Sequence, residues 1–246
     1  MDVMWETVNW VLMAKYFGAS LAVSIAAFGS AYGEGYIAYK ASEAIARQPG
    51  ASSDIVRTML ITQAVAETAG IFGLLVSIIL LFIASSQGTL SYAVALVAAG
   101  LCMGVGAVGA GVGSGQAGGA ACEGIARYPR LSADILLTTL VGQAIVQTGC
   151  IFALVISMLL SLMQQGADSI VIRGAMLGAG CAMGFGAIGA GISTGFTAKK
   201  AIWGMSRDAD LGGVLTRTML LGQAVAHAGA IYSLIVAFLL IFGNKA

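Results

Sequence analysis

Arg47, Arg127 and Arg207 stand 80 residues apart, and so do Glu67, Gln147 and His227. A period of that length restricts the chain to a tandem of like units, each one supersecondary element. After an N-terminal lead-in of residues 1–16, the units span 17–86, 97–166 and 177–243. Each holds two long apolar segments around a short polar loop: Ala46-Arg47-Gln48-Pro49-Gly50, Ala126-Arg127-Tyr128-Pro129-Arg130 and Met205-Ser206-Arg207-Asp208-Ala209. Each unit reads as a helical hairpin. A segment of about 30 residues rises about 45 Å, which exceeds the ~30 Å hydrocarbon core of a bilayer and predicts helices projecting from it at the loop end.

Solvent follows from composition: 59% of residues are apolar, 9% are charged and 35 of 246 are glycine. The fold class is therefore an all-α membrane protein of three tandem transmembrane hairpins, six helices in all. A net charge of +1 gives no reason to expect a nucleic-acid partner. The first residues, MDVMWETVNW, carry acids where a signal peptide has a basic region, so they read as an interfacial lead-in. Cys102, Cys122, Cys150 and Cys181 lie in apolar segments without metal-ligand spacing and read as small packing residues. Lys40, Arg47, Arg57, Arg127, Arg130, Lys199, Lys200, Arg207 and Arg217 gather near the hairpin loops, whereas Lys15, Arg173 and Lys245 sit at the opposite ends. The positive-inside rule then makes the loops cytoplasmic and puts both termini across the membrane. Since each unit crosses twice, all three share one orientation, which argues against the inverted repeats of many secondary transporters.

Glycine alternates along each first helix, as in Gly109-Ala-Gly111-Val-Gly113-Ser-Gly115, Gly189-Ala-Gly191-Ile-Ser193-Thr-Gly195 and Gly29-Ser-Ala31-Tyr-Gly33-Glu-Gly35. An ordinary glycine-zipper bundle would use such a face; its repetition in three hairpins suits an inner circle of first helices surrounded by bulkier second helices. Two acids interrupt the apolar run. Counted from Pro49, Glu34 is 15 residues back and Glu67 is 18 forward, which places both carboxylates some 22–27 Å along their helices, at one depth. Ionisable groups at that depth cost at least ~3 kcal/mol each and mark a functional site. Glu43, Asp54, Glu123, Asp134, Asp208 and Asp210 fall at the loop ends and read as solvated surface groups.

The glycine-alternating first helix, the loop Glu43-Ala-Ile-Ala-Arg47-Gln48-Pro49 with its echo Glu123-Gly-Ile-Ala-Arg127-Tyr-Pro129, and the second-helix run Gln63-Ala, Glu67-Thr-Ala-Gly-Ile-Phe72 and Leu74–Phe82 together resemble the c subunit, or proteolipid, of rotary ATP synthases. Three fused copies cover about nine tenths of the chain. The loop is similar to the F-type sequence, while fused hairpins with missing acids are more typical of vacuolar-type proteolipids. The resemblance implies a rotor-ring subunit in a bacterial or archaeal cytoplasmic membrane. Its implied partners are copies of itself or other c-type subunits, a stator a subunit whose arginine admits and releases ions, and central-stalk subunits met by the loops at Arg47, Gln48, Pro49, Arg127 and Arg207. It implies no enzyme activity in this chain, catalysis lying in other subunits, and no organic cofactor.

A proton needs little beyond one carboxylate of raised pKa, whereas Na+ needs several oxygens. Na+-binding relatives carry Gln or Glu at the position of Glu34, an acid at that of Glu67 and Ser or Thr at that of Thr68, so the resemblance implies Na+, with H+ as the alternative. The Val65 carbonyl precedes Thr68 by three residues. Phe72 stands where such sites often have tyrosine, which removes a hydroxyl. Two carboxylates in one dry pocket are expected to share a proton, so that the charges of the pair and Na+ cancel.

Gln147 with Ser114, and His227 with Thr194, occupy the depths of Glu67 and Glu34 in the second and third hairpins. They can hydrogen-bond but carry no obligatory negative charge, a buried imidazole being expected neutral. One ion per three hairpins is the expectation; a non-transporting membrane scaffold is the rival, which leaves the paired acids unexplained. In related rings the second helix of a neighbouring hairpin completes each pocket with a hydroxyl and a carbonyl three residues before it. If hairpin 2 flanks the acids, Thr148 and the Ile145 carbonyl complete the site; in a ring of opposite sense, Ala228 and the Val225 carbonyl close it.

Overall fold

The computed structural model describes residues 2–163 and 168–243, with side chains from Trp10 onward; Lys245 lies outside the described residues. Six helical spans are long and apolar enough to cross a membrane, and no strand occurs among the described residues. The first helices are α1 (Asp2–Arg47), α3 (Leu90–Arg127) and α6 (Ile170–Met205). The second helix of hairpin 1 is α2 (Ser52–Ile78), continued by a π-helical segment at Ile79–Ile83. Those of hairpins 2 and 3 are each interrupted once, into α4 (Ser132–Val146) and α5 (Thr148–Leu162), and α7 (Gly212–Ala226) and α8 (Ala228–Phe242).

Each hairpin turns through a single 3-10 turn. Gln48 and Tyr128, at φ −138° and −140° with ψ 75° and 77°, leave the helical region as a following proline favours, and Pro49 and Pro129 start the turns. Hairpin 3 has no proline there. Asp208 does the same work by accepting the Asp210 N–H on its carboxylate at 3.1 Å, a side-chain cap in place of a fixed ring.

The first helices lie side by side in the order α1, α3, α6, with α3 in the middle. Second helices sit over the grooves: α2 packs on α1 and α3, and α4 and α5 pack on α3 and α6, whereas α7 and α8 pack mainly on α6. Hence the most apolar stretch of the central α3 is 72% buried, while that of the α7–α8 span is only 22% buried. The chain is an open arc with two unfilled edges.

Glycine sets the spacing of the inner seam. A Cβ on Gly115 would lie 2.6 Å from the Gly33 Cα, and one on Gly109 would lie 2.5 Å from the Ile188 Cα. Only hydrogen fits, and the close backbones gain the dispersion contact that substitutes for a hydrophobic drive in lipid. Away from the loops, Lys15 is buried and donates to the Ala84 carbonyl at 2.9 Å and the Ser86 hydroxyl at 3.2 Å, fastening the end of the π-helical segment. The Tyr92 hydroxyl donates to the Ser161 carbonyl at 2.7 Å. Cys102, Cys122 and Cys150 are buried free thiols and Cys181 is partly buried.

Candidate ion-carrying site

Two apolar clusters fill the arc, one toward the loops around Ile37, Ile55, Ile125 and Ile202, the other toward the far ends around Leu96, Met103, Ile156 and Met183. A belt of polar residues at one depth separates them, as the positions of Glu34 and Glu67 led us to expect. The belt is organised by a residue to which the sequence alone assigned no role. Gln63, Gln143 and Gln223 each donate Nε2 to a backbone carbonyl of the first helix of their own hairpin: Glu34 at 3.0 Å, Ser114 at 2.9 Å and Thr194 at 3.0 Å. Gln143 and Gln223 use the same nitrogen to reach back to the preceding hairpin, at the carbonyls of Thr62 and Gly142, both 3.1 Å. Retention of this glutamine in all three repeats was the signal that marked it.

One turn on, Gln147 is buried, 6% exposed, and its Nε2 donates to the Val65 carbonyl at 2.9 Å and to the Ser114 hydroxyl at 3.2 Å. Two oxygens, one from the preceding hairpin and one from its own, thus converge on a nitrogen. In hairpin 3 the Nδ1 and the backbone N–H of His227 converge on the Gln223 carbonyl, both at 3.1 Å. The carbonyl only accepts, so Nδ1 carries a proton, and the buried Nε2 meets no partner among the described residues. Thr194 turns its hydroxyl back to the Ala190 carbonyl of its own helix at 2.7 Å. Glu67 is different: it is exposed, and Glu34 is half-buried.

The second helices of hairpins 2 and 3 deviate at Gln147 (φ −70°, ψ −16°) and His227 (φ −74°, ψ −13°), which keep right-handed helical angles and donate their N–H to the Gln143 and Gln223 carbonyls at 3.1 Å. At both positions a buried side chain is engaged; at Glu67, which faces outward, α2 runs unbroken.

The sense of the arc bears directly on the expected ligands. Val65 presents its carbonyl to Gln147, so this expected ligand lies at hairpin 2's pocket, while the half-buried Thr68 turns its hydroxyl to the Ala64 carbonyl of its own helix at 3.4 Å. Gln223 reaching the Gly142 carbonyl sets α4, the helix that carries Ile145 and leads into Thr148, against hairpin 3. Each pocket is flanked by the hairpin before it, and hairpin 1 has none before it within the chain. Sequence could not have given this sense, because a linear repeat reads alike in rings of either hand.

A second correction concerns the loop-end charges. Lys40 and Glu123 are not solvated surface groups: they pair at 2.6 Å across the seam between hairpins 1 and 2, and the Trp203 indole donates to Glu123 at 2.9 Å across the next seam. Glu43 pairs with Lys40 at 3.0 Å and with Arg47. Arg47, Gln48, Pro49, Arg127 and Arg207 are all exposed.

Three membrane hairpins of one orientation, glycine-seamed inside and carrying a carboxylate pair in a mid-depth polar belt, define a tandem proteolipid. The family of ATP synthase C subunits matches the chain three times, over residues 17–80, 97–160 and 177–240. The K subunit of an A-type ATP synthase from Methanocaldococcus jannaschii is 31% identical over 232 residues, 93% of this chain and 96% of that protein. The ATP synthase c subunit from Alkaliphilus oremlandii is 53% identical over 72 residues, 29% of this chain and 81% of that protein; the one from Natranaerobius thermophilus is 50% identical over 72 residues, 29% and 83%. The chain belongs to this family of ATP synthase C subunits, whose members form the ion-translocating rotor component.

Proposed function

We propose that the chain carries one Na+ per three hairpins, bound by Glu34 and Glu67, past a stator subunit of a rotary ATPase. What carries this reading is the Gln147 pocket, where the side chain's own amide nitrogen stands at the focus of a carbonyl and a hydroxyl oxygen. The repeat puts carboxylates at 34 and 67 where that pocket has Ser114 and Gln147. Replacing a neutral amide and a hydroxyl by two carboxylates, one protonated, leaves a single negative charge and several oxygens, a donor set suited to a small hard cation. Gln147 and His227 carry hairpins 2 and 3 past the stator without an exchangeable charge demanded by their chemistry. In this reading the exposed loops at Arg47, Gln48, Pro49, Arg127 and Arg207 meet the central stalk on the cytoplasmic side, which the clustering of basic residues supports.

The test is carbodiimide modification of the assembled complex. Labelling is expected at Glu67 or Glu34, and millimolar Na+ should slow it at a pH where Na+ can displace the proton. Labelling that responds to pH alone replaces Na+ by H+ as the coupling ion. Glu67→Gln should abolish ion-coupled ATP hydrolysis with the ring still assembled; coupled transport that persists would make the chain's hairpins a scaffold and give the ion to another group.

A further inference from the structure

We propose that the groove between the second helices of hairpins 2 and 3, at the loop end, binds an aminophospholipid, with the headgroup phosphate on Arg217 and the ammonium on Asp134. Two cavities lie one repeat apart along the second helices. The first, about 240 Å³ between α2 and α4, is lined by Asp54, Arg57, Thr58, Leu136 and Leu137. The second, about 480 Å³ between α4 and α7, has Asp134, Leu137, Thr138, Thr216 and Arg217 at the matching positions. Small-molecule sites span about 300–1,000 Å³. Of the two, the second is large enough.

Glycine makes the difference. Gly212 and Gly213 line the second cavity where Ser132 and Ala133 line the first. Gly115 is held to glycine by the backbone a Cβ would strike, but a Cβ on Gly213 would meet nothing within 4 Å. One on Gly212 would meet only the Met205 terminal methyl, at an ordinary 3.5 Å. Neither glycine has a positive φ. A helical glycine costs about 1 kcal/mol relative to alanine, and no contact or backbone angle within the chain offsets that. What the pair provides is the space itself.

The charges say what suits the space. In the first groove Asp54 and Arg57 stand one turn apart on one helix, opposite Leu136 and Leu137. In the second, leucine takes the arginine's place on α4 and arginine takes the leucine's place on α7, so that acid and base occupy opposite walls. Asp134 and Arg217 are exposed, and neither forms an ion pair among the described residues. A carboxylate facing a guanidinium, with Leu137 and Val141 beside them, complements a zwitterion carried on an acyl chain. The planar guanidinium takes two phosphate oxygens and the carboxylate accepts from the ammonium.

The height agrees. Arg217 precedes His227 by ten residues and Asp134 precedes Gln147 by thirteen, about 15 and 20 Å of helix. With the polar belt at the middle of a ~30 Å hydrocarbon core, both charges reach the headgroup layer. The α7–α8 span is also the least buried of the six, at 22% for its most apolar stretch. A lipid in this groove gives the loop end of α7 a second surface to pack on. None of this depends on which ion the chain carries.

The experiment is native mass spectrometry of the assembled rotor, delipidated and then supplied with one ligand at a time. Phosphatidylethanolamine should stay bound, one molecule per chain, through activation that strips phosphatidylcholine, which has no N–H to donate, phosphatidylglycerol, which has no ammonium, and inorganic phosphate, which has no acyl chain. Arg217→Gln should weaken its retention at least about tenfold. Asp134→Asn should bring phosphatidylethanolamine level with phosphatidylglycerol, and Gly213→Leu should fill the groove and displace the lipid. Arg57→Gln, in the smaller groove, should change nothing. Equal retention of the three lipids, or a loss in Arg57→Gln matching that in Arg217→Gln, would mean general headgroup attraction and overturn the site. Phosphate held as firmly as the lipid would overturn it in favour of a free-anion site. Asp134→Asn keeps the shape of the groove, so it decides the matter even where Gly213→Leu disturbs assembly.

Discussion

His227 and the glutamines show how much a single buried side chain decides in lipid. His227 donates from Nδ1 to the Gln223 carbonyl and its Nε2 has no partner among the described residues; on the proposed reading His227→Gln exchanges one neutral hydrogen-bonding group for another. Ion transport should stay near the wild-type rate, read as Na+ uptake into vesicles per ATP hydrolysed; a large loss would make the imidazole a carrier. Gln143 offers the complementary case. Its Nε2 serves two carbonyls from two hairpins, and hydrogen bonds between membrane helices are worth about 0.6–2 kcal/mol. Gln143→Leu should therefore lower the unfolding midpoint of the separated chain in detergent more than Gln63→Leu, since Gln63 makes only one such bond; equal losses would show that the bond to the preceding hairpin contributes nothing.

Elements are held at the end away from the loops by a different kind of tie, where Ser91 at the start of α3 donates its N–H and hydroxyl to Asp168, just before α6, at 3.1 and 2.7 Å. These bonds, with Arg173 at 2.8 Å, hold the Asp168 carboxyl below its ordinary range. A lowered folded value means that the stabilisation is fully present above the unfolded carboxylate value of about 3.9 and is lost as pH falls through the folded one. The thermal midpoint of the wild-type chain should fall more steeply below about pH 4 than that of Asp168→Asn; parallel curves would show that the tie contributes nothing. None of this was visible in the sequence, because Asp168 and Ser91 are 77 residues apart and neither belongs to the repeat. The hairpins, the glycine-seamed inner helices and the depth of Glu34 and Glu67 were legible, since period and helical rise suffice to place them. The buried Lys40–Glu123 pair was misread for want of one fact, which neighbour stands across the seam. The breaks at Gln147 and His227 were not legible either, since no proline or glycine marks them; they coincide with side-chain engagement known only once the hairpins pack.

At the scale of the whole molecule, the proposed one ion per three hairpins would set a gear ratio. For a fixed ATP free energy, fewer ions per turn mean that each can be driven against a larger gradient, at about 2.3 kcal/mol per charge per 100 mV. On the proposed reading such a ring would suit pumping and would make synthesis harder at an ordinary ion-motive force. The Gln147 pocket allows the ratio to be changed in one step. It is buried, and it already has the Val65 carbonyl and the Ser114 hydroxyl converging on the Gln147 amide. Gln147→Glu supplies the missing negative charge in a site lying entirely within one chain. It should bind Na+ with one positive charge balancing one carboxylate, and carbodiimide should then label two positions per chain, both protected by Na+. Transport per ATP hydrolysed should rise about twofold, and the steepest gradient the complex sustains should fall by about half, as the same free energy is divided among twice the charge. An unchanged ratio with a second labelled carboxylate would mean that this pocket binds an ion but that hairpin 2 never exchanges it at the stator, so that the gear ratio is set by access to the stator as well as by the count of acids.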